Sequence, residues 1–510
     1  MDQMLAYLSE HYFILLLMLA YLILCLGIGW YFKAKASQGL NEFYIAKREI
    51  PGWVVSLAFF STFASTNTYI GQAGKSFQFG LSWAWVGLIW AVFCVLSWLV
   101  LGPRMRNQTL LLKSTTIPDY FQFRYQSGLS RLIRMLSAFI ILFASMWYMV
   151  GIAKGSAHVL QSVLEIPYAV GAFAIVFITL LYTVWGGMYS VLWTDAVQGI
   201  MMFIVAILMF ALPFIYVGGF DALMTKISNI SHPDLGGQPL GDSLVTIGTV
   251  DAFMYMLGIG LAVGMKMIAE PRCLIRFYSI DNTKSMRFAM IWTPVFLGIS
   301  LICVMGLGAL VHGMASGEEA AYLIGHTDEV VGFMLAKFNH PVVSGVAVAG
   351  LFAAGMSSLA SVTLIIGTAF VNDLWHVVKP LRPKSALAGT RWTMLFYSLL
   401  VFLFTLFPPA GIVELTAFSG AVFAASFFPS IFGGLYLRWG TDLGAISSMV
   451  IGMVVAVVWR FAIRFNIASL ESIHEVIPAF MISLVVYLVV SKMSRHRLAE
   501  EKHLNKLFEG

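Results

Sequence analysis

Six polar side chains crowd one otherwise apolar stretch: Ser61, Thr62, Ser65, Thr66, Asn67 and Thr68, followed by Gly71 and Gly74. The stretch opens on Pro51-Gly52-Trp53 and is long enough to cross a bilayer. So many hydroxyls and an amide are costly against lipid, but their oxygens suit a hard cation or a polar solute. A second stretch carries Gly258, Gly260 and Gly264, then Lys266, Glu270 and Pro271. Short, glycine-interrupted, polar segments at corresponding positions of two halves point to an inverted-repeat transporter with its site at the breaks. Small residues alone serve close helix packing equally well, so it is the hydroxyl and amide cluster that favours a binding site. Enzyme chemistry has no comparable signal. HExxH, GxSxG and P-loop patterns are absent, and Gly186-Gly187 lacks the GK[ST] that a phosphate cradle needs, so the chain is not expected to be an enzyme.

These residues have to be positioned by a membrane protein. Of 510 residues, 59% are hydrophobic and 11% charged, with a mean hydropathy of +0.85. An ordinary soluble domain carries about a quarter charged residues, and no single soluble core could hide this much apolar surface. The net charge of +6 fits basic loops at a membrane surface. No basic, aromatic-interleaved domain suggests a nucleic-acid partner. Cys25, Cys94, Cys273 and Cys303 show no CxxC spacing, and all but Cys273 sit in apolar runs, reading as small core residues.

The first apolar run, about 13–32, follows Asp2 and Glu10 and precedes Lys33 and Lys35. That charge asymmetry is the reverse of a signal peptide's, which predicts a first span with the N-terminus outside. Thirteen stretches reach the roughly 20 apolar residues a crossing needs. They lie near 11–33, 52–73, 81–102, 132–153, 167–187, 191–217, 250–270, 288–313, 343–372, 391–408, 411–437, 442–464 and 475–492. With the N-terminus outside, 24 of the 31 Lys and Arg fall in cytoplasmic loops, Arg124, Arg134, Arg272 and Arg276 among them, and six fall outside. The C-terminus is then cytoplasmic. The expected fold is an all-α polytopic membrane protein, one transmembrane domain over 1–510, in a cell (inner) membrane and as a monomer or weak oligomer.

Between the fifth and sixth spans the chain reads Tyr182-Thr183-Val184-Trp185-Gly186-Gly187-Met188-Tyr189-Ser190, then Val191-Leu192-Trp193-Thr194-Asp195-Ala196-Val197-Gln198. This resembles the signature of the sodium:solute symporter family, whose members include proline, pantothenate, sialic acid and glucose symporters. Asn41-Glu42-Phe43-Tyr44 with Lys47-Arg48, Ile117-Pro118-Asp119-Tyr120-Phe121 and Ala353-Ala354-Gly355-Met356-Ser357-Ser358 resemble other family stretches, in order. The resemblance implies a LeuT-type arrangement of five helices repeated inverted. It maps to 52–217 and 250–437, with one leading and two trailing helices.

The resemblance also implies sodium as the coupling ion and a site for it. Two carbonyls at the break of the second span fall on Ser61 and Ala64. On the ninth span, Ala354 supplies a carbonyl while Ser357 and Ser358 supply hydroxyls. Residues three and four apart share one helix face, which suits such a cage, although a lone buried serine more often bonds its own helix. Asp195 is implied on the ion's inward exit or at a second sodium site. That second site would want hydroxyls at 360 and 361, and Ala360 has none. An interfacial helix cap after Thr194 is an equal reading of Asp195.

The solute is expected at the same breaks, with Ser65, Thr66, Asn67 and Gln72 on the second span, Gly258 and Gly264 on the seventh and Ser419 on the eleventh. Freed amides at helix starts suit an anionic group. Lys266 either binds an acidic solute or pairs with Glu270, the pair being the plainer reading. Trp83, Trp85 and Phe79 either cap an outer vestibule or belong to the interfacial belt. Ser419-Gly420-Ala421 stand where sugar symporters carry clustered hydrogen-bonders, which favours an amino acid or carboxylate over a hexose. The competing classes are a proton-coupled carrier of the same fold, against which Ser357-Ser358 argue, and a transporter-like membrane sensor.

Overall fold

The computed structural model describes residues 2–229, 250–464 and 473–508. The side-chain surroundings of 2–11, 250–252 and 464 also fall outside it, so the Asp2, Glu10 and Arg464 charges are not placed. Among the described residues the chain is all helical, and eleven helices are long and apolar enough to cross a membrane. The elements that matter here are α1 (Asp2–Ala36), α2 (Gly52–Phe63), α3 (Ala73–Phe79), α4 (Ala84–Leu96), α5 (Ser130–Leu164), α6 (Tyr168–Val217), α7 (Val250–Ala269) and α8 (Pro271–Ser279). They continue with α9 (Thr283–Val311), α10 (Pro341–Thr368), α11 (Pro383–Leu406), α12 (Ile412–Tyr436), α13 (Asp442–Arg464) and α14 (Val476–Met493).

Two of the eleven apolar helical segments are far too long for one crossing. Asn67–Leu112 has 46 residues and Tyr168–Val217 has 50. At 1.5 Å per residue each is about twice the roughly 30 Å thickness of the hydrocarbon. Each contains a glycine with positive φ, Gly80 (φ 73°) and Gly187 (φ 52°). A side chain at Gly187 would be strained in that backbone region and would also press within 2.7 Å of the Phe43 ring. The Trp185-Gly186-Gly187 stretch is therefore the point where α6 breaks.

The centre of the bundle is where α2, α5, α6, α10 and α12 meet, and it is polar as well as apolar. Ser61, Thr62, Ser65, Thr66, Asn67, Thr68 and Gln72 are all buried. The hydroxyl cluster thus faces protein and not lipid, as its composition requires. Leu16, Ile204, Ile302 and Phe407 are examples of the apolar side chains left on the outer surface.

Four basic residues counted to cytoplasmic loops are instead buried: Arg124, Arg134, Arg272 and Arg276. They lie on or beside short helices that fold back into the bundle, Ile117–Arg124 and α8 among them. The break of the seventh span also differs from expectation. Gly258, Gly260 and Gly264 lie inside continuous α7, where they admit His474, Ile89 and Phe93. The helix ends at Ala269, because Pro271 disfavours helical backbone at Glu270 (φ −81°, ψ 128°) and then starts α8 at its first position. Ile50 and Ile280 form a short parallel bridge that ties the start of α2 to the end of α8.

Candidate functional site

α2 stops at Phe63, and Ala64 (φ −75°, ψ 77°) leaves the helical region. The Ser65 N–H turns to Phe63 O at 2.9 Å, so it no longer serves Ser61 O, its partner in a continued α-helix. A π-helical turn, Asn67–Gln72, then leads into α3. A π turn in a helix interior is uncommon and tends to occur at functional positions.

The carbonyls at this break meet the hydroxyls of α10. Ser357 Oγ donates to Ser61 O at 2.9 Å and stands 3.2 Å from Ala354 O. Ser358 Oγ donates to Thr62 O at 3.1 Å. Each of these contacts joins residues 296 positions apart in sequence, which excludes simple back-bonding within α10 as the whole account of either serine. Ser61, Ala354, Ser357 and Ser358 are brought together as expected. Ala64 stands at the break itself, and the carbonyl that meets Ser358 is that of Thr62, which the sequence reading left out.

Asp195 is not an interfacial cap. It is fully buried inside α6, where Oδ2 accepts from Thr62 Oγ1 at 2.9 Å, Ser361 Oγ at 3.2 Å and Arg276 Nη2 at 2.6 Å. Thr62 Oγ1 and Ser361 Oγ are 3.1 Å apart. Ser361 is one of the two positions expected to matter beside Asp195. Arg276 and Thr62 complete the cluster; Thr62 belongs to the polar stretch read in the sequence but was not linked to Asp195, and Arg276 escaped the sequence reading. Arg276 was treated as a loop charge, although it lies four residues after Arg272 on a helix opened by a proline.

The second break supplies charges where the first supplies neutral oxygens. Glu270 Oε2 takes Arg272 Nε at 2.7 Å, and its Oε1 lies 3.5 Å from Lys266 Nζ. The expected Lys266–Glu270 pair is therefore present, with Arg272 as a third member. Both cations sit against one face of α5, Lys266 Nζ 3.6 Å and Arg272 Cζ 4.0 Å from the Tyr148 ring centroid. A cation over a desolvated aromatic face gains roughly 1–2 kcal/mol.

Of the solute candidates, Ser65, Thr66, Asn67 and Gln72 are buried at the first break. Trp83 Nε1 donates to Gln72 Oε1 at 2.8 Å, and Gln72 Nε2 to Asn67 Oδ1 at 3.3 Å. Thr66 Oγ1 donates to Ile152 O on α5 at 3.1 Å. Ser419 Oγ is buried on α12 and has no hydrogen-bond partner among the described residues. Next to it, Gly420 lets α12 approach α7, since a Cβ there would lie 2.5 Å from Ala262 O and 3.5 Å from Lys266 Cδ. Trp83 is buried and stacks on Phe79 at 5.2 Å, whereas Trp85 is exposed and fits the interfacial belt. The contribution of α5 through Tyr148, Gly151 and Gly155 was not anticipated. Gly258 and Gly264, set against His474 and Phe93, pack helices away from this neighbourhood.

One end of the bundle is closed by two ion pairs. Lys75 Nζ lies 3.2 Å from Glu414 Oε1, joining the first turn of α3 to the start of α12. Lys154 Nζ lies 2.7 Å from Asp328 Oδ2. Beside the second pair, Gly74 approaches so closely that a Cβ would lie 2.0 Å from Thr327 O.

Comparisons with known proteins bear on the family and the fold. The family described as "Sodium:solute symporter family" matches residues 43–452. An osmoregulated proline transporter of Bacillus subtilis is 28% identical over 483 residues, covering 93% of this chain and 94% of that protein. A sodium/pantothenate symporter of Haemophilus influenzae is 26% identical, covering 95% and 97%. A sodium/proline symporter of Staphylococcus aureus is 27% identical, covering 96% and 94%. Among solved structures, a substrate-bound, outward-open Na+-coupled sialic acid symporter superposes with a TM-score of 0.76 at 16% identity, covering 94% of this chain and 98% of that one. At that identity the likeness speaks for the fold.

Proposed function

This chain belongs to the sodium:solute symporter family, and from that premise we propose that it carries a carboxylate-bearing solute, an amino acid or organic acid, inward with sodium by alternating access. The observation that carries the sodium assignment is the meeting of Ser357 and Ser358 with the freed carbonyls of Ser61 and Thr62. Such a cluster of neutral oxygens suits a hard monovalent cation and offers nothing to a soft metal. Ser61, Ala64, Ala354, Ser357 and Ser358 are the proposed sodium ligands, and Asp195 lies on the ion's route out.

Dividing the two overlong segments at Gly80 and Gly187 turns the eleven apolar helical segments into thirteen crossings, once α2 and α3 are counted as one broken span. The proposed repeats are then 52–217 and 250–437, each opening on a broken helix. The N-terminus is placed outside and the C-terminus in the cytoplasm. The Lys75–Glu414 and Lys154–Asp328 pairs then close the outer end, and opening it requires both to part.

For the solute, the cationic neighbourhood of Lys266 and Arg272, the unpartnered Ser419 hydroxyl and the Asn67–Gln72 pair favour a carboxylate with a hydrogen-bonding group. Proline and pantothenate, the solutes in the relatives' names, both fit that description. The test is uptake of labelled proline and of labelled pantothenate into proteoliposomes under an inward sodium gradient, a proton gradient, or neither. Accumulation under the sodium gradient alone is expected for one of them. Accumulation that follows the proton gradient and ignores sodium would overturn the reading.

A further inference from the structure

One proposed sodium ligand, the Ser358 hydroxyl, and the Thr62 carbonyl that it meets are shared with a guanidinium. Arg272 Nη1 donates to Thr62 O at 2.5 Å and stands 3.4 Å from Ser358 Oγ. Ser358 spends its own proton on Thr62 O, so its lone pairs face the arginine. Both groups are buried, and a cation arriving at this cluster would meet a resident one.

The seat of Arg272 is fixed from three sides. Its Nε is held by Glu270 at 2.7 Å and its plane lies over Tyr148 at 4.0 Å. Its own backbone carbonyl accepts from Arg276 Nη1 at 2.5 Å, and Arg276 is anchored by Asp195. Lys266, Arg272 and Arg276 stand against Glu270 and Asp195, three basic groups against two acidic ones. A sodium ion beside them adds a further positive charge, in a medium where charges a few ångströms apart interact strongly.

We propose that Arg272 is a tethered competitor of the coupling ion: its guanidinium occupies the Thr62 and Ser358 oxygens, and sodium binds only as Nη1 withdraws while Nε stays on Glu270. This rests on the sodium reading of the cage. It assigns Arg272 a role in setting ion affinity that a salt bridge made for stability alone does not have. An anionic solute drawn to these basic groups is the natural trigger for withdrawal, because it gives the freed guanidinium protons an acceptor.

The test is the sodium affinity of the purified full-length protein, from sodium-dependent tryptophan fluorescence, in the native chain, Arg272→Gln, Arg272→Lys and Ser357→Ala/Ser358→Ala. Removing a charge this close to a bound cation should tighten sodium binding at least about tenfold in Arg272→Gln. Arg272→Lys keeps the charge but cannot hold Glu270 and reach Thr62 O at once, so its sodium affinity should fall between those of the native chain and Arg272→Gln. A gain in affinity is not what a damaged fold produces. If Arg272→Gln cannot be purified, Glu270→Gln reads the same device in reverse, with sodium binding weakened because the guanidinium loses its other anchor. Unchanged or weaker binding in Arg272→Gln, with binding still abolished in the double serine variant, would overturn the competitor role and leave the cage intact. Binding in every variant, the double serine one included, would overturn the cage and the competitor together.

Discussion

The two breaks at the centre of this protein solve one problem in opposite ways. At Ala64 the chain interrupts a helix with hydroxyl-bearing and small residues, and the freed carbonyls of Ser61 and Thr62 are met by neutral serine hydroxyls. At Glu270-Pro271 it interrupts a helix with a proline, and what gathers there is charge: Lys266, Glu270, Arg272 and Arg276. Neutral oxygens can release a cation at modest cost because no partner is left bare. A buried ion pair behaves differently, since removing one member strands the other. The first break is thus suited to binding and letting go, and the second to holding a fixed arrangement. They touch at Thr62, where Arg272 reaches the carbonyl oxygen and Arg276 Nη2 reaches the hydroxyl.

The comparison can be tested by breaking each side. The largest effect is expected at the charged side. Asp195→Asn leaves Arg276 buried beside neutral oxygens alone, a loss on the order of 3–5 kcal/mol for a stranded buried charge. The yield of folded protein should fall sharply, and adding Arg276→Gln should restore much of it; equal yields in the single and double variants would show that the pair is not a coupled unit. Glu270→Gln is expected to cost less, because Tyr148 still faces both cations and Arg272 keeps Thr62 O. Uptake of an anionic solute should survive Glu270→Gln in reduced form and be lost in Lys266→Ala. The reverse pattern would make Lys266 a partner of Glu270 and nothing more. Smallest is Lys75→Ala at the partly exposed outer pair, worth roughly 1 kcal/mol or less. It should raise labelling of a cysteine placed at Asn67 by an impermeant reagent from outside, with thermal stability nearly unchanged; unaltered labelling would remove the pair from the closure.

How far each break could be read in the sequence follows from the same difference. Hydroxyls crowded at Ser61–Thr68 are anomalous against lipid wherever they occur, so the first break was legible before any contact was known. The second was displaced by up to a dozen residues, because Gly258, Gly260 and Gly264 suggested interruption while serving only close packing. The better signal was Glu270-Pro271, since a proline acts on the residue before it whatever the surroundings. Arg272 and Arg276 were hidden for a related reason. Charges near the end of an apolar stretch are ordinarily loop charges, and only the folding back of α8 buries them. Asp195 needed its partner Arg276, which lies 81 positions away, before its role could be seen. Thr62 was noticed for its hydroxyl, but its carbonyl was not assigned to the cage because a carbonyl carries no sequence signature.

The claim on which the rest depends is that Ser357 and Ser358 complete a sodium cage with the carbonyls of the first break. Its most direct test is the sodium dissociation constant of purified native protein and of Ser357→Ala/Ser358→Ala, measured by sodium-22 binding in detergent. The double variant should fold, because each change only removes one hydroxyl from a small side chain, and should bind sodium at least about 100-fold more weakly. A folded double variant that binds sodium as the native protein does would contradict the account.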